Sequence, residues 1–553
     1  MLTPHLRAYR QTALRDDLLA GAIVAVLLIP QALAYALLAG LPPQVGIYAS
    51  LLPMLAYAAL GSSSVASVGP AAVLALMTAQ AMAPVVGAEG VSPSIAALVL
   101  ATEVGLLLAV AALFKLDALA SLLSAPVLQG FSTGAAVSIA LSQLPALLGS
   151  TAHGASTPEL ARSWWQSGGW GHALTSAYGA GALVLLLLAR RLSRRHAMLA
   201  RAAPLAVICL ASLLAWASAA PDHGVAVTGP LPAIGLPFAL PPFDAALWWQ
   251  LLPGASLIAL VTFVSSFAVA ENLALQRSEH VDGRRELAAL AASNLVAGIG
   301  QGMPVGGSFS RSAVNADAGA RTRMAGVWAA LFMALAVLLL AVPLAWLPRA
   351  VLAASIVLPV LASAEWGAFG RAWRYSRGEA AVMGAVAALT VLQSTQWALG
   401  VGVAVSIALM LKHAARPHAA LIGRVPGTEH YRNVERYATE LTPGVMSLRI
   451  DESLLFINAR QLLGVVARYL DTYPDTKRVL LQMTPVNRID LSGLEALRAL
   501  QTVLLERGIQ LDLSEVKGPV LDALRASGWA NWFKGRLFLS HHHGVSGDEG
   551  MAP

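Results

Sequence analysis

The chain has 553 residues, of which 57% are hydrophobic and only 12% are charged. Soluble proteins carry about a quarter charged residues, so this composition excludes an ordinary soluble protein and indicates a chain embedded in a membrane. The net charge of +7 is spread over connections between apolar segments, which argues against a nucleic-acid partner, and the single Cys209 excludes an intramolecular disulfide.

Residues 1–17 precede the first apolar span and carry three arginines, Arg7, Arg10 and Arg15. We find no short apolar run followed by a small-residue cleavage site, so we expect the first span to be retained. Because Lys and Arg concentrate on the cytoplasmic side of a membrane, the segment is predicted to be cytoplasmic.

Residues 18–415 are predicted to form a transmembrane domain. A helix needs roughly 20 apolar residues to cross about 30 Å of hydrocarbon, and about fourteen such segments precede residue 415. The clearest are Leu18 to Leu38, Ile95 to Phe114, Ala173 to Ala189, Pro204 to Ala219, Leu251 to Ala270, Met324 to Leu347 and Ala398 to Leu411.

The positions of Lys and Arg predict the orientation of the spans. The stretch from Ala202 to Gln276 contains neither residue, so its Pro-rich middle, Pro221 to Pro242, is expected outside. Lys412 and Arg416 return the chain to the cytoplasm. We therefore expect a multi-pass protein of the cell (plasma or inner) membrane with both termini cytoplasmic. The arginine clusters expected to face the cytoplasm lie at 190–201, 277–285 and 371–377.

Two apolar segments are interrupted near membrane depth, at Ser67 to Pro70 and at Met303 to Arg311. Irregular backbone in a bilayer is tolerated where it is buried or lines a cavity, and paired interruptions indicate a transporter's central site. Two helix N-termini directed at one point would form an anion site from their free N–H groups. Arg311 would add a full charge beside Ser308 and Ser310; the alternative is an interfacial arginine whose head group reaches water.

Several motifs occur in the order typical of one transporter family. They are Pro30 to Ala36, Gly46 to Ser50, Ser67 to Pro70, Pro126 to Phe131, Gly307 to Asn315 and Ala318 to Thr322. With them the chain resembles the sulfate permease (SulP) family of anion transporters over nearly its whole length. The resemblance implies an α-helical polytopic fold with fourteen spans in two inverted repeats of seven, a core domain that moves against a gate domain, and a homodimer.

The resemblance also implies which residues face the anion. Gln31 and Tyr35 of the first span would face two half-helices, although each could instead have a packing role. The predicted anion-binding residues are Gln31, Tyr35, Gly69, Pro70, Ala71, Gly307, Ser308, Phe309, Ser310 and Arg311.

Three residues are candidates for coupling transport to a proton or sodium ion. Many bacterial members of the family have an acidic residue in the eighth span, where this chain has Thr262 to Phe267, with Ser265 as the matching candidate. Glu271 lies six residues further on, a rotation of about 240°, and is expected near the cytoplasmic end. Glu103 is a second acidic candidate, deep enough in its span to be costly if unpaired.

After His413 charged residues become frequent and apolar runs shorten to strand length. We assign 416–439 to a linker, 440–540 to a soluble α/β domain and 541–553 to a disordered tail in which His541, His542 and His543 are solvated. Predicted strands are Val445 to Ile450, Leu454 to Ile457, Val479 to Met483 and Ile509 to Leu513. Leu494, Leu497, Leu500 and Leu504 recur at helical spacing.

The segment Arg488 to Leu494 resembles the STAS domain that these transporters share with anti-sigma factor antagonists. In the antagonists the serine matching Ser492 is phosphorylated. The alternative is that Ser492 and Glu495 form a capping box, with the serine as the N-cap of the helix.

No nucleotide-binding glycine loop, metal-spaced His and Cys cluster or nucleophile elbow occurs with supporting context, so we expect neither an enzyme nor a cofactor or metal. The leading hypothesis is secondary transport of an oxyanion, sulfate first, with bicarbonate or a dicarboxylate as alternatives and a proton or sodium ion as a possible co-substrate. A nucleobase permease of the same fold, an uncoupled anion channel, and a membrane sensor or scaffold that signals through the STAS domain remain open.

Overall fold

A computed structural model describes residues 9, 13–88, 91–118, 124–154, 156–167, 171–192, 197–230, 238–393, 395–415 and 418–547. Most of the predicted N-terminal segment and residues 548–553 of the predicted tail lie outside this part of the chain. The chain divides into two compact units, Met1–Ser406 and Ile407–Pro553.

The first unit is built from helices. The first nine are α1 Leu14–Leu38, α2 Pro43–Leu60, α3 Ala72–Ala88, α4 Pro93–Leu113, α5 Ala125–Ser142, α6 Leu144–Leu148, α7 Thr157–Ser167, α8 Ala173–Leu192 and α9 Ala197–Ala217. The next eight are α10 Ala245–Arg277, α11 Gly283–Ile299, α12 Phe309–Asp317, α13 Met324–Ala345, α14 Arg349–Ser363, α15 Trp366–Tyr375, α16 Arg377–Leu392 and α17 Thr395–Ala415, the last of which crosses into the second unit.

The predicted apolar spans are helices. Each of the seven clearest segments overlaps one of them, and within the described residues seven helical stretches are long and apolar enough to cross a bilayer. Others, such as α3 and α12, are shorter, because the chain enters them through irregular backbone. The fold class is therefore confirmed, whereas the count of fourteen spans stays a prediction.

The helix pairing repeats within the unit. α4 packs on α10 and α11, and α13 packs in the same way on α1 and α2. A second group of helices packs around α14, which contacts α1, α5 and α8. An internal repeat predicts this pairing: one helix of each half, α4 or α13, packs on the first two helices of the other half.

Glycine permits close approach of helices at two of these contacts. A Cβ on Gly46 of α2 would lie 1.8 Å from the Ala32 carbonyl oxygen of α1, and one on Gly130 of α5 would lie 2.4 Å from the Met383 carbonyl oxygen of α16. Small residues that let backbones meet are the usual basis of helix packing in membranes, where lipid tails remove the hydrophobic drive.

The second unit contains a six-stranded sheet; the first two strands of the chain, β1 Val68–Gly69 and β2 Gly306–Gly307, belong to the first unit. The elements of the second unit are β3 Ala419–Arg424, β4 Tyr431–Asn433, β5 Val445–Ile450, α18 Gln461–Thr472, β6 Arg478–Gln482, α19 Leu491–Glu506, β7 Gln510–Ser514, α20 Gly518–Ala526, β8 Leu537–Phe538 and α21 His541–Ser546. The strand order in the sheet is β4-β3-β5-β6-β7-β8. β5 to β8 are parallel, whereas β3 is antiparallel to both β4 and β5. Leu497, Leu500 and Leu504 of α19 are buried against this sheet, as their spacing predicts.

Two sequence assignments in this unit are wrong. Residues 416–439 are not a simple linker, because β3 and β4 within them form one edge of the sheet. The apolar run from Leu454 to Ile457 is not a strand; only Leu454 makes an isolated bridge, to Ile489. Both segments are short and polar-flanked, so their state depends on whether a neighbouring strand offers hydrogen bonds.

The predicted tail is also wrong where the structure describes it. His541 to Ser546 form α21, and His541 is 2% exposed. Its Nδ1 lies 2.7 Å from Ser514 Oγ, and its ring meets Tyr431 edge-on at 4.7 Å. The histidine run itself gives no signal for burial, because the groups that cover His541 come from β4 and β7, which are distant in sequence.

Burial lowers the pKa of His541 from 6.5 to about 4. Between those values the unfolded chain binds a proton that the folded domain does not, so the free energy of unfolding should fall by up to about 3 kcal/mol as pH drops from about 7 to about 4. We expect amide hydrogen exchange of β7 and α21 in the full-length protein to speed up accordingly, after correction for the intrinsic rate. The variant His541→Gln should lose this part of the pH dependence; an unchanged pH slope would contradict the assignment.

The capping-box interpretation of Ser492 is wrong. α19 begins at Leu491, and its N-cap is Asp490, whose carboxylate accepts a 2.9 Å hydrogen bond from Gly493 N and one of 2.7 Å from Phe456 N. Asp490 takes the N-cap position in place of Ser492 because its carboxylate also binds the loop that contains Phe456. Ser492 is therefore in the first turn of the helix and half-buried, and its phosphorylation stays a prediction.

Candidate functional site

The two interrupted segments meet in the structure. Val68–Gly69 (β1) and Gly306–Gly307 (β2) form an antiparallel pair, with Val68 opposite Gly307 and Gly69 opposite Gly306. α3 begins at Ala72 and α12 at Phe309, so each helix starts within three residues of this crossing. The sequence prediction that two half-helices begin near one point agrees with this geometry.

Three hydrogen bonds that involve serines fix the crossing. Ser67 N donates to Ser312 Oγ at 2.9 Å, Ser308 N donates to Ser67 O at 3.1 Å, and Gly307 N donates to Ser266 Oγ at 2.7 Å. Ser266 lies on α10, so this helix holds β2 in place. Neither Ser266 nor Ser312 was among the predicted site residues, although both lie in motifs that the sequence analysis singled out.

Buried amides and carboxylates hold the flanking segments. Asn294 of α11 bonds both the N–H and the carbonyl of Val305, at 2.9 and 3.0 Å. Glu286 of the same helix accepts from Tyr57 and from the backbone of Ser62 and Ser63, ahead of β1. The only sequence signal for these residues is a polar side chain inside an apolar segment, which is expensive unless paired.

Arg311 lies at the centre of the crossing and is 1% exposed. Its Nη1 donates to the Pro70 carbonyl at 2.6 Å and lies 3.4 Å from Gln31 Oε1. Its Nε and Nη2 have no hydrogen-bond partner, and within the described residues no carboxylate lies within ion-pair distance of it. The site thus contains a buried cation with two unsatisfied donors.

The start of α12 adds further donors. Its N-cap, Ser308, makes no side-chain cap, and its hydroxyl lies 3.3 Å from Ser310 Oγ. Phe309 is 56% exposed and Ser310 is also exposed, whereas Arg311 points inward. The free N–H groups of this first turn carry a partial positive charge.

The remaining predicted residues lie around Arg311. Tyr35 is buried one turn after Gln31 on α1, and Ala71 is half-buried between Pro70 and α3. A Cβ on Gly69 would lie 3.4 Å from Arg311 Nη2, so the missing side chain leaves space beside the unsatisfied donor.

The three predicted coupling residues are not at this crossing. Ser265 Oγ donates to the Val261 carbonyl of its own helix at 2.6 Å, and Glu271 is exposed. Glu103 is 3% exposed, its Oε2 has no partner, and it lines a separate apolar cavity with Trp248 and Trp249. None of the three contacts Arg311 in the described hydrogen bonds, so a coupling role for them stays a prediction.

Two cavities have lining residues near the crossing. One of about 800 Å³ reaches Ala34 and Leu76, one turn beyond Gln31 and Ala72. The other, of about 380 Å³, reaches Val314, three residues beyond Arg311. α14 lines both, through residues 349–356 and 355–362.

Known proteins are similar to this chain in sequence. The profile of the sulfate permease family matches residues 14–386, and that of the STAS domain matches residues 436–544. A probable sulfate transporter of Mycobacterium tuberculosis is 33% identical over 524 residues, which cover 94% of this chain and 92% of that protein. Sulfate transporter 3.1 of Arabidopsis thaliana is 31% identical over 552 residues, covering 94% and 82%.

Solved structures of two anion transporters have the same fold. Murine Solute Carrier 26 family member A9, in an inward-facing state, matches with a TM-score of 0.87 and 22% identity, covering 97% of this chain and 91% of that one. The transmembrane domain of a cyanobacterial bicarbonate transporter matches with a TM-score of 0.62 and 20% identity, covering 70% and 97%. The chain therefore belongs to the sulfate permease family, with a STAS domain after its transmembrane domain.

Proposed function

We propose that this protein is a secondary transporter that carries a small oxyanion, sulfate first, across the cell membrane, with the anion held at Arg311 between the N-termini of α3 and α12. The observation that carries the proposal is the buried guanidinium of Arg311, with Nε and Nη2 unsatisfied and no carboxylate in ion-pair contact.

A charge in this position is costly without a partner. Removing a cation from water costs several kcal/mol, and intramembrane arginines that persist usually serve an ion pathway. A bound oxyanion would satisfy both donors of Arg311, because the guanidinium fork matches the spacing of two oxygens. The N-terminus of α12 supports the same ligand through its free N–H groups.

The two cavities support alternating access. Each has a lining residue about one helical turn from a residue of the proposed site, Ala34 after Gln31 in one cavity and Val314 after Arg311 in the other. Because α14 lines both, a small displacement of α14 relative to the crossing could open one cavity toward Arg311 while closing the other. This is the rocking motion expected of a transporter built from repeats around a fixed site.

The names of the relatives favour sulfate among oxyanions. Bicarbonate and dicarboxylates present the same pair of oxygens to the guanidinium, so the relatives' names and not the donors rank sulfate first. A sensor that signals through the STAS domain would need no flux. We further propose that both termini are cytoplasmic, as the arginine clusters predict, that the protein forms a homodimer, and that a proton or sodium ion is the candidate co-substrate.

The test is uptake of radiolabelled sulfate into proteoliposomes containing the purified protein. We expect saturable uptake, counterflow from sulfate-loaded vesicles, and competition in the order sulfate, then bicarbonate and fumarate. Imposed proton and sodium gradients identify the co-substrate. Absence of uptake for every anion under every gradient would favour the sensor, and uptake without saturation or counterflow would favour a channel.

A further inference from the structure

The cavity of about 800 Å³ contains a cation that the proposed site does not use. Arg349, the first residue of α14, lines it together with Gln143, His153 and Thr175. Residues of α1 and α3, on the same helices as Gln31 and Ala72, also line it. Arg349 thus lies in the larger of the two cavities that approach the crossing.

The backbone around Arg349 is held firmly. Its N–H donates to the Ala226 carbonyl at 2.9 Å, and its Nε donates to the Val227 carbonyl at 3.3 Å. Thr228 N and Gly229 N donate to the Leu347 and Ala345 carbonyls at 2.9 and 3.0 Å. The side chain is therefore anchored at Nε, while the two terminal nitrogens of the guanidinium remain available to a ligand.

No carboxylate neutralises this arginine. Within the described residues it forms no ion pair, and the segment that anchors it, 226–229, contains no Asp or Glu. A partly solvated cation that faces a cavity without a counter-charge attracts anions into it.

Cationic side chains are scarce around this cavity. Arg349 bonds Ala226 and Val227, which belong to the segment Pro221 to Pro242 that is expected outside, and it is the only Lys or Arg among the described residues that line the cavity. Arg349 is the only Lys or Arg between Met324 and Gly370, and Arg162 does not line the cavity. An anion that enters this cavity therefore meets one cationic side chain, that of Arg349.

We propose that Arg349 is a capture site for the transported oxyanion in the outer cavity, occupied before the anion reaches Arg311. The inference rests on the proposed function, because it assigns the entry step of the same transport. A cavity with low-dielectric walls focuses the field of one cation and raises the local anion concentration, by about tenfold or more.

The experiment is initial sulfate uptake by intact cells, in which the protein has one orientation, at equal surface expression. The variants are Arg349→Gln and Arg349→Lys, with Arg162→Gln as the matched control. Each is assayed at ionic strengths of about 10 mM and 150 mM, set with choline gluconate, where the Debye length is about 30 Å and 8 Å.

For Arg349→Gln we expect the apparent KM for sulfate to rise about tenfold at low ionic strength, with the maximal rate unchanged and the difference narrowing at high ionic strength. Arg349→Lys should stay within about twofold of wild type, since it retains the charge while losing the geometry of the Val227 bond. Arg162→Gln should match wild type at both ionic strengths.

Two results would overturn the capture site while leaving the transporter intact: an Arg349→Gln KM equal to that of Arg162→Gln, or an Arg349→Lys variant as impaired as Arg349→Gln. The second would assign the side chain to anchoring the 226–229 segment. If wild type itself shows no saturable sulfate uptake, the proposed function fails and the capture site fails with it.

Discussion

Replacing Arg311 with Met is expected to reduce sulfate uptake by at least about 100-fold while leaving the protein folded. Each charge-assisted hydrogen bond contributes about 1.5–3 kcal/mol, so losing the two free donors of the guanidinium removes most of the anion's binding energy. The Arg311 side chain is 1% exposed, and Met has much of its volume, so the substitution should not leave a cavity. The measurement is initial uptake into proteoliposomes at matched protein content.

The stability of this variant distinguishes a functional arginine from a structural one. A buried cation without a carboxylate is unfavourable for folding, so its removal should leave the melting temperature equal or raise it. Arg311→Lys keeps the charge but lacks the paired N–H donors of the guanidinium, so it should retain a small fraction of the uptake. Normal transport by Arg311→Met, or its collapse to an unfolded protein, would contradict the assignment.

Gly69→Ala is expected to weaken sulfate binding by about tenfold or more without destabilising the fold. The new Cβ would lie 3.4 Å from Arg311 Nη2, in ordinary contact, and no backbone atom lies within 4 Å among its three nearest neighbours. It would occupy the space in which an anion oxygen must sit to bond Nη2, and one lost charge-assisted bond corresponds to about a tenfold effect or more.

Gly181→Ala on α8 is the matched control, because a Cβ there meets nothing within 4 Å. Sulfate-dependent thermal stabilisation of the purified protein measures binding apart from transport. We expect the sulfate concentration needed for a given shift to rise for Gly69→Ala and to stay at the wild-type value for Gly181→Ala. Equal shifts in both variants would show that the anion does not lie beside Gly69.

The sequence alone predicted the membrane domain and the position of the crossing. A long apolar run forms an α-helix in a bilayer, because its backbone N–H and carbonyl groups must be hydrogen-bonded within the segment. The Gly-Pro and Gly-Gly interruptions, followed by Arg311, indicated two half-helices for a local reason as well: glycine and proline both weaken a helix, and here they occur in pairs.

Tertiary structure decided what surrounds Arg311 and which polar residues hold it. Ser266, Ser312 and Asn294 act across distances of 41, 245 and 11 residues in sequence, and no spacing rule connects such partners. The location of Arg349 in a cavity that α1 and α3 also line likewise depends on how the helices pack.

In the second unit the sequence determined the central strands, and the neighbours decided the edges. β5 coincides with the predicted Val445 to Ile450, in which Met446, Leu448 and Ile450 alternate with Ser447 and Arg449 at the period of a strand. β3, β4 and α21 have weak local preferences, and they fold because an adjacent strand supplies hydrogen bonds or a buried side chain such as Tyr431 covers His541. The sequence predicts an element when nearby residues are enough to stabilise it. An element that depends on distant partners is decided only when the fold brings those partners next to it.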